Sequence, residues 1–266
     1  LERATLLRDL GQLNEAAQEL SHAATLFEKR HQFERADQLH LEALMFAESH
    51  VKDAEVIAGV CSARASFLGG QQRFEEAIPL ALQFIHASEQ QRADKPELHL
   101  KALNNLAELY RKSGQLDLAD GLYQQVHTEL TEVPEPKQAV YIHNIGVLKF
   151  DQGRYGEAEA LIRTAIEQQP NATREDMSAL QTMYRSLELT YVAQDRLDLA
   201  IACIRQVLDI EESRHVASVR TQSMTQFQLA WLLEAAGEIE EAVHVEAHAP
   251  QLAELASEKR KPRDPQ

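Results

Sequence analysis

His244 and His248 stand one helical turn apart and Glu240 one turn before them, so a helix there could turn two imidazoles and a carboxylate to one side. That spacing is compatible with a metal. Two histidines do not close a ligand set, and a solvated helix face accounts for them; no metal and no other cofactor is expected. None of the ten glycines forms G-x-G-x-x-G or G-x-x-x-x-G-K, and neither G-x-S-x-G nor H-E-x-x-H occurs. The chain is therefore not expected to be an enzyme. What remains is the chemistry of amides. Asn104, Asn105 and Asn144 each carry a group that donates and accepts at once, which suits a peptide backbone.

The elements that would position those amides are legible between Leu103 and Val126. Leu103, Leu106, Ala107 and Tyr110 recur at helical spacing, as do Leu116, Ala119, Tyr123 and Val126, with Ser113, Gly114 and Gln115 between them. This is a helix, a tight turn and a second helix. Gly114 sits where left-handed backbone reverses the chain. The bulky residue after the turn recurs as Phe33, Phe74, Leu116, Tyr155, Leu197 and Ile239, at intervals of 41, 42, 39, 42 and 42 residues. Three residues after each stands alanine: Ala36, Ala77, Ala119, Ala158, Ala200 and Ala242. A hairpin cannot cover its own apolar faces, so repetition at this period implies a stacked array.

These residues resemble the tetratricopeptide repeat. Ile142, Ile145 and Gly146, then Gly153 and Tyr155, then Ala158, Ile162, Ala165 and Pro170 follow its pattern best. The long period is similar to the variety found in kinesin light chains, whose repeat phrases resemble Leu103 to Ala107 and Phe74 to Leu80. The resemblance spans roughly residues 14 to 250. It implies an all-α, right-handed superhelical solenoid. It also implies that Asn105 helps hold the backbone of an extended peptide, with Asn144 at the equivalent place one repeat on.

One orphan helix plus six pairs is expected. Residues 1–13 form the orphan, 14–256 a single solenoid, and 257–266 a basic tail. Leu6, Leu7 and Leu10 share a face of the first helix, and Asn14 is placed to cap the second. Gly69 and Gly70 read as part of a turn, and Pro96 as a first helical residue. Pro134 and Pro136 end the third pair, and Thr173 with Asp176 reads as a capping box. Asp195 stands where the turn glycine belongs. Glu188 replaces a small residue of the first helix, so it requires looser packing or a partner for a buried carboxylate. Glu246, placed where a further repeat would pack, suits a capping repeat.

The formal charge of −15 repels nucleic acid and anionic lipid, so neither is an expected partner. Lys259 to Arg263 is the only basic cluster and reads as a solvated tail. No apolar run is long enough to span a membrane. Asn171 to Thr173 matches a glycosylation triplet that chance alone supplies. Cys61 and Cys203 are separated by several stacked helices and cannot reach each other, which suits a reducing compartment and a cytoplasmic location.

In such an array the first helix of each pair lines the concave wall. The stripe there reads His22, Thr25, Ala63, Ser66, Asn105, Glu108, Asn144, Val147, Ser186, Leu189, Gln228 and Trp231, with Lys101, Arg111, His143, Phe150, Arg185 and Phe227 beside it. Gln124 and Glu159 fall on the outer face. The expected function is that of a scaffold or adaptor holding a protein or extended peptide in this groove. The alternative is a ligand- or peptide-sensing regulatory module within a larger signalling or transcription-regulating protein.

Overall fold

The structure, a computed structural model, describes residues 2–130, 135–169, 176–213 and 219–249. Thirteen helices and no strand occur among them. The chain divides into two compact units, Leu1–Pro134 and Glu135–Gln266. Unit 1 holds α1 (Glu2–Asp9), α2 (Leu13–Lys29), α3 (Phe33–His50), α4 (Ala54–Gly70), α5 (Phe74–Glu89), α6 (Pro96–Lys112) and α7 (Leu116–Glu129). Unit 2 holds α8 (Glu135–Asp151), α9 (Tyr155–Glu167), α10 (Asp176–Ala193), α11 (Leu197–Ser213), α12 (Val219–Ala236) and α13 (Ile239–His248). One single helix and six pairs are thus present, and Pro96 opens α6 as expected.

Small residues fix the hairpin crossings. Ala36, Ala77, Ala119, Ala158, Ala200 and Ala242 on the second helices are all buried. The residues twelve positions earlier on the first helices, Ala24, Ala65, Ala107, Gly146, Glu188 and Ala230, are buried as well, Glu188 being the one large residue among them. Gly146 shows why size is limiting: a Cβ there would stand 2.8 Å from Ile162 Cγ1 and 3.3 Å from Leu161 Cβ. Side-chain burial then continues from pair to pair. Leu106 and Leu109 of α6 pack with Phe67 and Leu68 of α4, and Val56, Val60 and Cys61 of α4 pack with Ala43, Leu44 and Ala47 of α3. Contact of α2 with α4, of α4 with α6, and of α8 with α10 brings first helices side by side within each unit.

Each hairpin turn carries one residue with left-handed backbone: His31, Gln72, Gly114, Gly153, Asp195 and Gly237. Around Gly114 the Gln115 N–H donates to Tyr110 O and the Gly114 N–H to Arg111 O, which closes the end of α6. Asp195 repeats this pattern on Tyr191 and Val192 in place of glycine. Three expectations are corrected. α4 continues through Gly69 and Gly70, and the turn falls on Gln72, because Gly69 serves a close approach to Leu109. Asn14 lies inside α2 and donates to Asp53 Oδ2 at 3.3 Å, so it caps nothing. Leu6 of α1 and Leu10 just after it are exposed, and Ala4 makes the buried contact. Thr173, Pro134, the Asn171 triplet and the tail from 257 lie outside the described residues.

Candidate binding face

In unit 1 the helical period turns one side of α2, α4 and α6 away from the hairpin crossings. That side carries small and hydroxylic residues, so the helices leave an open cavity of about 600 Å³ between them. His22, Thr25, Ala63, Ser66, Lys101 and Asn105, six residues of the sequence stripe, line it together. Asn105 is half-buried and donates through Nδ2 to Ser62 Oγ at 3.1 Å. No other partner engages it among the described residues, so Oδ1 is an uncommitted acceptor on a residue that lines the cavity. Glu55 and Lys101 are the only formal charges in the lining, and Glu55 is ion-paired to Lys95. Lys101 is exposed and has no partner among the described residues.

Glu108 and Arg111 continue the stripe but engage each other. Arg111 Nε donates to Glu108 Oε2 and Nη2 to Oε1, each at 2.9 Å, and Lys112 Nζ stands 3.3 Å away. Burial would push the Glu108 carboxyl up. Hydrogen bonds from Arg111 and the charges of Arg111 and Lys112 outweigh it and hold the group below the usual carboxylate range. Asn104 is half-buried on α6 and does not line the cavity.

In unit 2 the corresponding residues bond to one another. His143 is buried with Nε2 2.9 Å from Ser186 Oγ, and Asn144 beside it is half-buried. Arg185 donates from Nη2 to Glu211 Oε1 at 3.1 Å and to Thr225 Oγ1 at 2.7 Å, and from Nη1 to Gln228 Oε1 at 3.1 Å. Gln181 also donates to Glu211, at 2.6 Å, and Gln228 donates to Glu188 Oε2 at 3.0 Å. Glu188 and Glu211 are both only 1% exposed. The partner that Glu188 requires is therefore Gln228. Burial pushes its carboxyl above the usual range, against the Gln228 hydrogen bond and the Arg185 charge.

The remaining stripe residues of unit 2 divide. Phe150 packs against Tyr155 across the α8–α9 turn, with ring centroids 5.4 Å apart. Phe227 and Trp231 of α12 are exposed, Trp231 by 56%. Glu159, read as an outer-face residue, is largely covered: Arg196 and the Tyr191 hydroxyl both donate to it. Glu211 and Thr225 were not singled out from the sequence. Glu211 does lie four residues after Val207 and seven after Ile204, on the apolar side of α11.

Residues 98–171 match the tetratricopeptide repeat family. That stretch, from α6 to α9, carries the tetratricopeptide repeat. Comparison with curated proteins finds no match. Among solved structures, this chain is similar to BtubC (BKLC) from P. vanneervenii, with 21% identity over 82% of this chain and 89% of that one, at a TM-score of 0.65. It is also similar to a kinesin-light-chain-like protein of nearly identical TPR-like repeats from Podosopora anserina, with 18% identity, 79% and 100% covered, and a TM-score of 0.63. A Rap protein complexed with Competence and Sporulation Factor gives 14% identity, 91% and 75% covered, and a TM-score of 0.60. At these identities the likeness is one of fold. Among the described residues no group of three His, Cys, Asp or Glu could hold a metal ion, and no helix is long and apolar enough to cross a membrane.

Proposed function

We propose that the α2–α4–α6 face of unit 1 binds an extended segment of a partner protein, and that the chain acts as a scaffold or adaptor. The observation that carries this reading is the pairing of a preset amide with a spare charge. Ser62 holds Asn105 by its N–H, so Oδ1 is oriented to accept from a partner's backbone N–H without first losing rotamer freedom. Lys101, one turn before it on α6, is left to meet a partner carboxylate. On α12 the exposed rings of Phe227 and Trp231 offer unit 2 an apolar contact of its own. The free, buried thiols of Cys61 and Cys203 support a cytoplasmic setting. A second reading, a ligand-sensing regulatory module, is supported by the likeness to the Rap protein that was solved with a bound factor.

The test is capture of partners from native lysate, followed by titration of each captured partner. Ser66→Trp places an indole at an exposed edge of the cavity, and Lys101→Glu reverses its unpaired charge. Both should lose the partner while helix content and thermal unfolding stay as in wild type. Unchanged affinity in both variants would remove the unit 1 face from the function.

A further inference from the structure

Unit 2 contains a second cavity that the binding face does not use. It lies between α9 and α11, the second helices of adjacent pairs, and α10 forms its floor. Its volume is about 290 Å³. Leu187, Tyr191 and Cys203 at the bottom are each 5% exposed, and Ile166 and Ala202 form the walls. The thiol of Cys203 is pushed up to about 12, by burial first and by Glu188 second, so the floor is a neutral, unreactive surface. Two polar lining groups lack a partner among the described residues, the Tyr184 hydroxyl on the α10 floor and the exposed Gln206 amide on the rim. The Tyr184 hydroxyl makes no hydrogen bond to any described residue, while that of Tyr191 is held by Glu159 at 3.3 Å.

Size and charge define what would fit. An apolar cavity of roughly 150 Å³ is enough for benzene, so this one accommodates a body of about two fused rings. The rim carries one cation and one carboxylate, Arg163 and Glu167, and so favours neither sign of charge. A small ligand site consists of apolar walls with a few directed polar groups, and here the uncommitted donor on the α10 floor is the Tyr184 hydroxyl, the Gln206 amide and Arg163 standing on the exposed rim. We propose that this cleft binds an uncharged, flat aromatic molecule of two fused rings, whose one hydrogen-bond acceptor meets the Tyr184 hydroxyl. The site is independent of the unit 1 face and of the partner bound there.

Quinoline, which presents one ring nitrogen, and naphthalene, its isostere without an acceptor, serve as probes of the full chain. Binding would be followed by amide NMR shifts. Quinoline should bind saturably with shifts confined to α9, α10 and α11. Tyr184→Phe should weaken quinoline by about threefold to tenfold, the worth of one hydrogen bond, and leave naphthalene unchanged. Ala202→Trp, at an exposed wall position, should abolish both, and Ser66→Trp in unit 1 should alter neither. No saturable binding of quinoline overturns the proposal, as does equal affinity in wild type and Tyr184→Phe. Preference for N-acetyl-phenylalaninamide over quinoline overturns it too, by making the cleft a seat for a partner's side chain.

Discussion

The first helices of unit 1 and unit 2 carry the same stripe and do opposite things with it. In unit 1 the stripe is built from Thr25, Ser62, Ala63 and Ser66, which are too short to bridge the gap, so a cavity remains and Asn105 keeps an acceptor free. In unit 2 the stripe carries Arg185 and Gln228, long enough to reach the next helix, and Glu188, Glu211 and Thr225 complete a hydrogen-bonded network with them. A polar residue on a repeat's stripe is thus left open to solvent in one place and made an internal brace in another. Side-chain length decides which.

The largest expected effect breaks the brace. Arg185→Ala removes the cation from a carboxylate that is almost fully buried, and should destabilise unit 2 by about 3 kcal/mol, the lower end for a broken buried pair because the guanidinium is itself partly in water. Lys101→Ala in unit 1, which leaves nothing unpaired, should stay within about 0.5 kcal/mol. Hydrogen exchange of α10 and α6 amides reads the two units separately. Equal and small losses would erase the distinction between brace and open face.

The two units should also respond to pH with opposite sign. In unit 1 the His40 imidazole is 1% exposed, its ring centroid 5.0 Å from that of Phe67, and Glu28 Oε2 stands 4.0 Å from Nε2. Burial first, and the Arg64 charge second, lower it from 6.5 to about 4, with Asp37 opposing. Between those values the unfolded chain binds the proton and the folded chain does not. The His40 contribution is therefore complete above 6.5 and is lost as pH falls toward 4, by about 3 kcal/mol at most. Glu188 runs the other way. Its carboxyl is raised, so its contribution is complete below the ordinary carboxylate value and declines as pH rises through the raised one. Exchange protection of α3 should fall on acidification from 6.5, and Glu188→Gln should flatten the decline of α10 with rising pH. Parallel profiles in the two units would contradict both assignments.

The sequence revealed the scaffold and only half of the face, for physical reasons. Ala119 and its counterparts mark the crossings because no larger residue fits there, so a short pattern carries the whole register. The 3.6-residue period likewise places His22, Thr25, Ala63, Ser66, Lys101 and Asn105 on one side, and they do line one cavity. Turn residues were less legible. His31 and Gln72 adopt left-handed backbone that glycine more often takes, while Gly69 and Gly70 remain helical. Partners were not legible at all. Arg185 meets Glu211 across 26 residues of chain because α10 and α12 converge on the end of α11, a matter of packing that no local pattern records.

A medium effect tests whether the scaffold beneath the two faces is the same. Ala119→Leu in unit 1 and Ala158→Leu in unit 2 each insert side-chain atoms into a fully buried crossing, and each should cost about 1–3 kcal/mol. Thermal or denaturant unfolding measures both. A loss in one unit alone would show that the units differ in their cores as well as in their faces.

The smallest effect is the most discriminating. From the stripe alone, Asn105→Ala is expected to leave folding nearly untouched, since the amide serves only a ligand. The Ser62 hydrogen bond alters that expectation: removing Asn105 should cost about 0.5–1.5 kcal/mol of stability, the net worth of one such bond. Ser62→Ala should cost about the same, and the double variant little more than either, because both single changes delete one shared interaction. Partner affinity separates the two roles of the amide. Asn105→Ala removes both the brace to Ser62 and the Oδ1 acceptor, whereas Ser62→Ala removes only the brace and leaves Oδ1 to be ordered by the partner. Asn105→Ala should therefore weaken binding more than Ser62→Ala does, at equal cost in stability. If the two lose affinity equally, Asn105 acts solely as a brace, and the unit 1 face is then a shorter version of what unit 2 already shows.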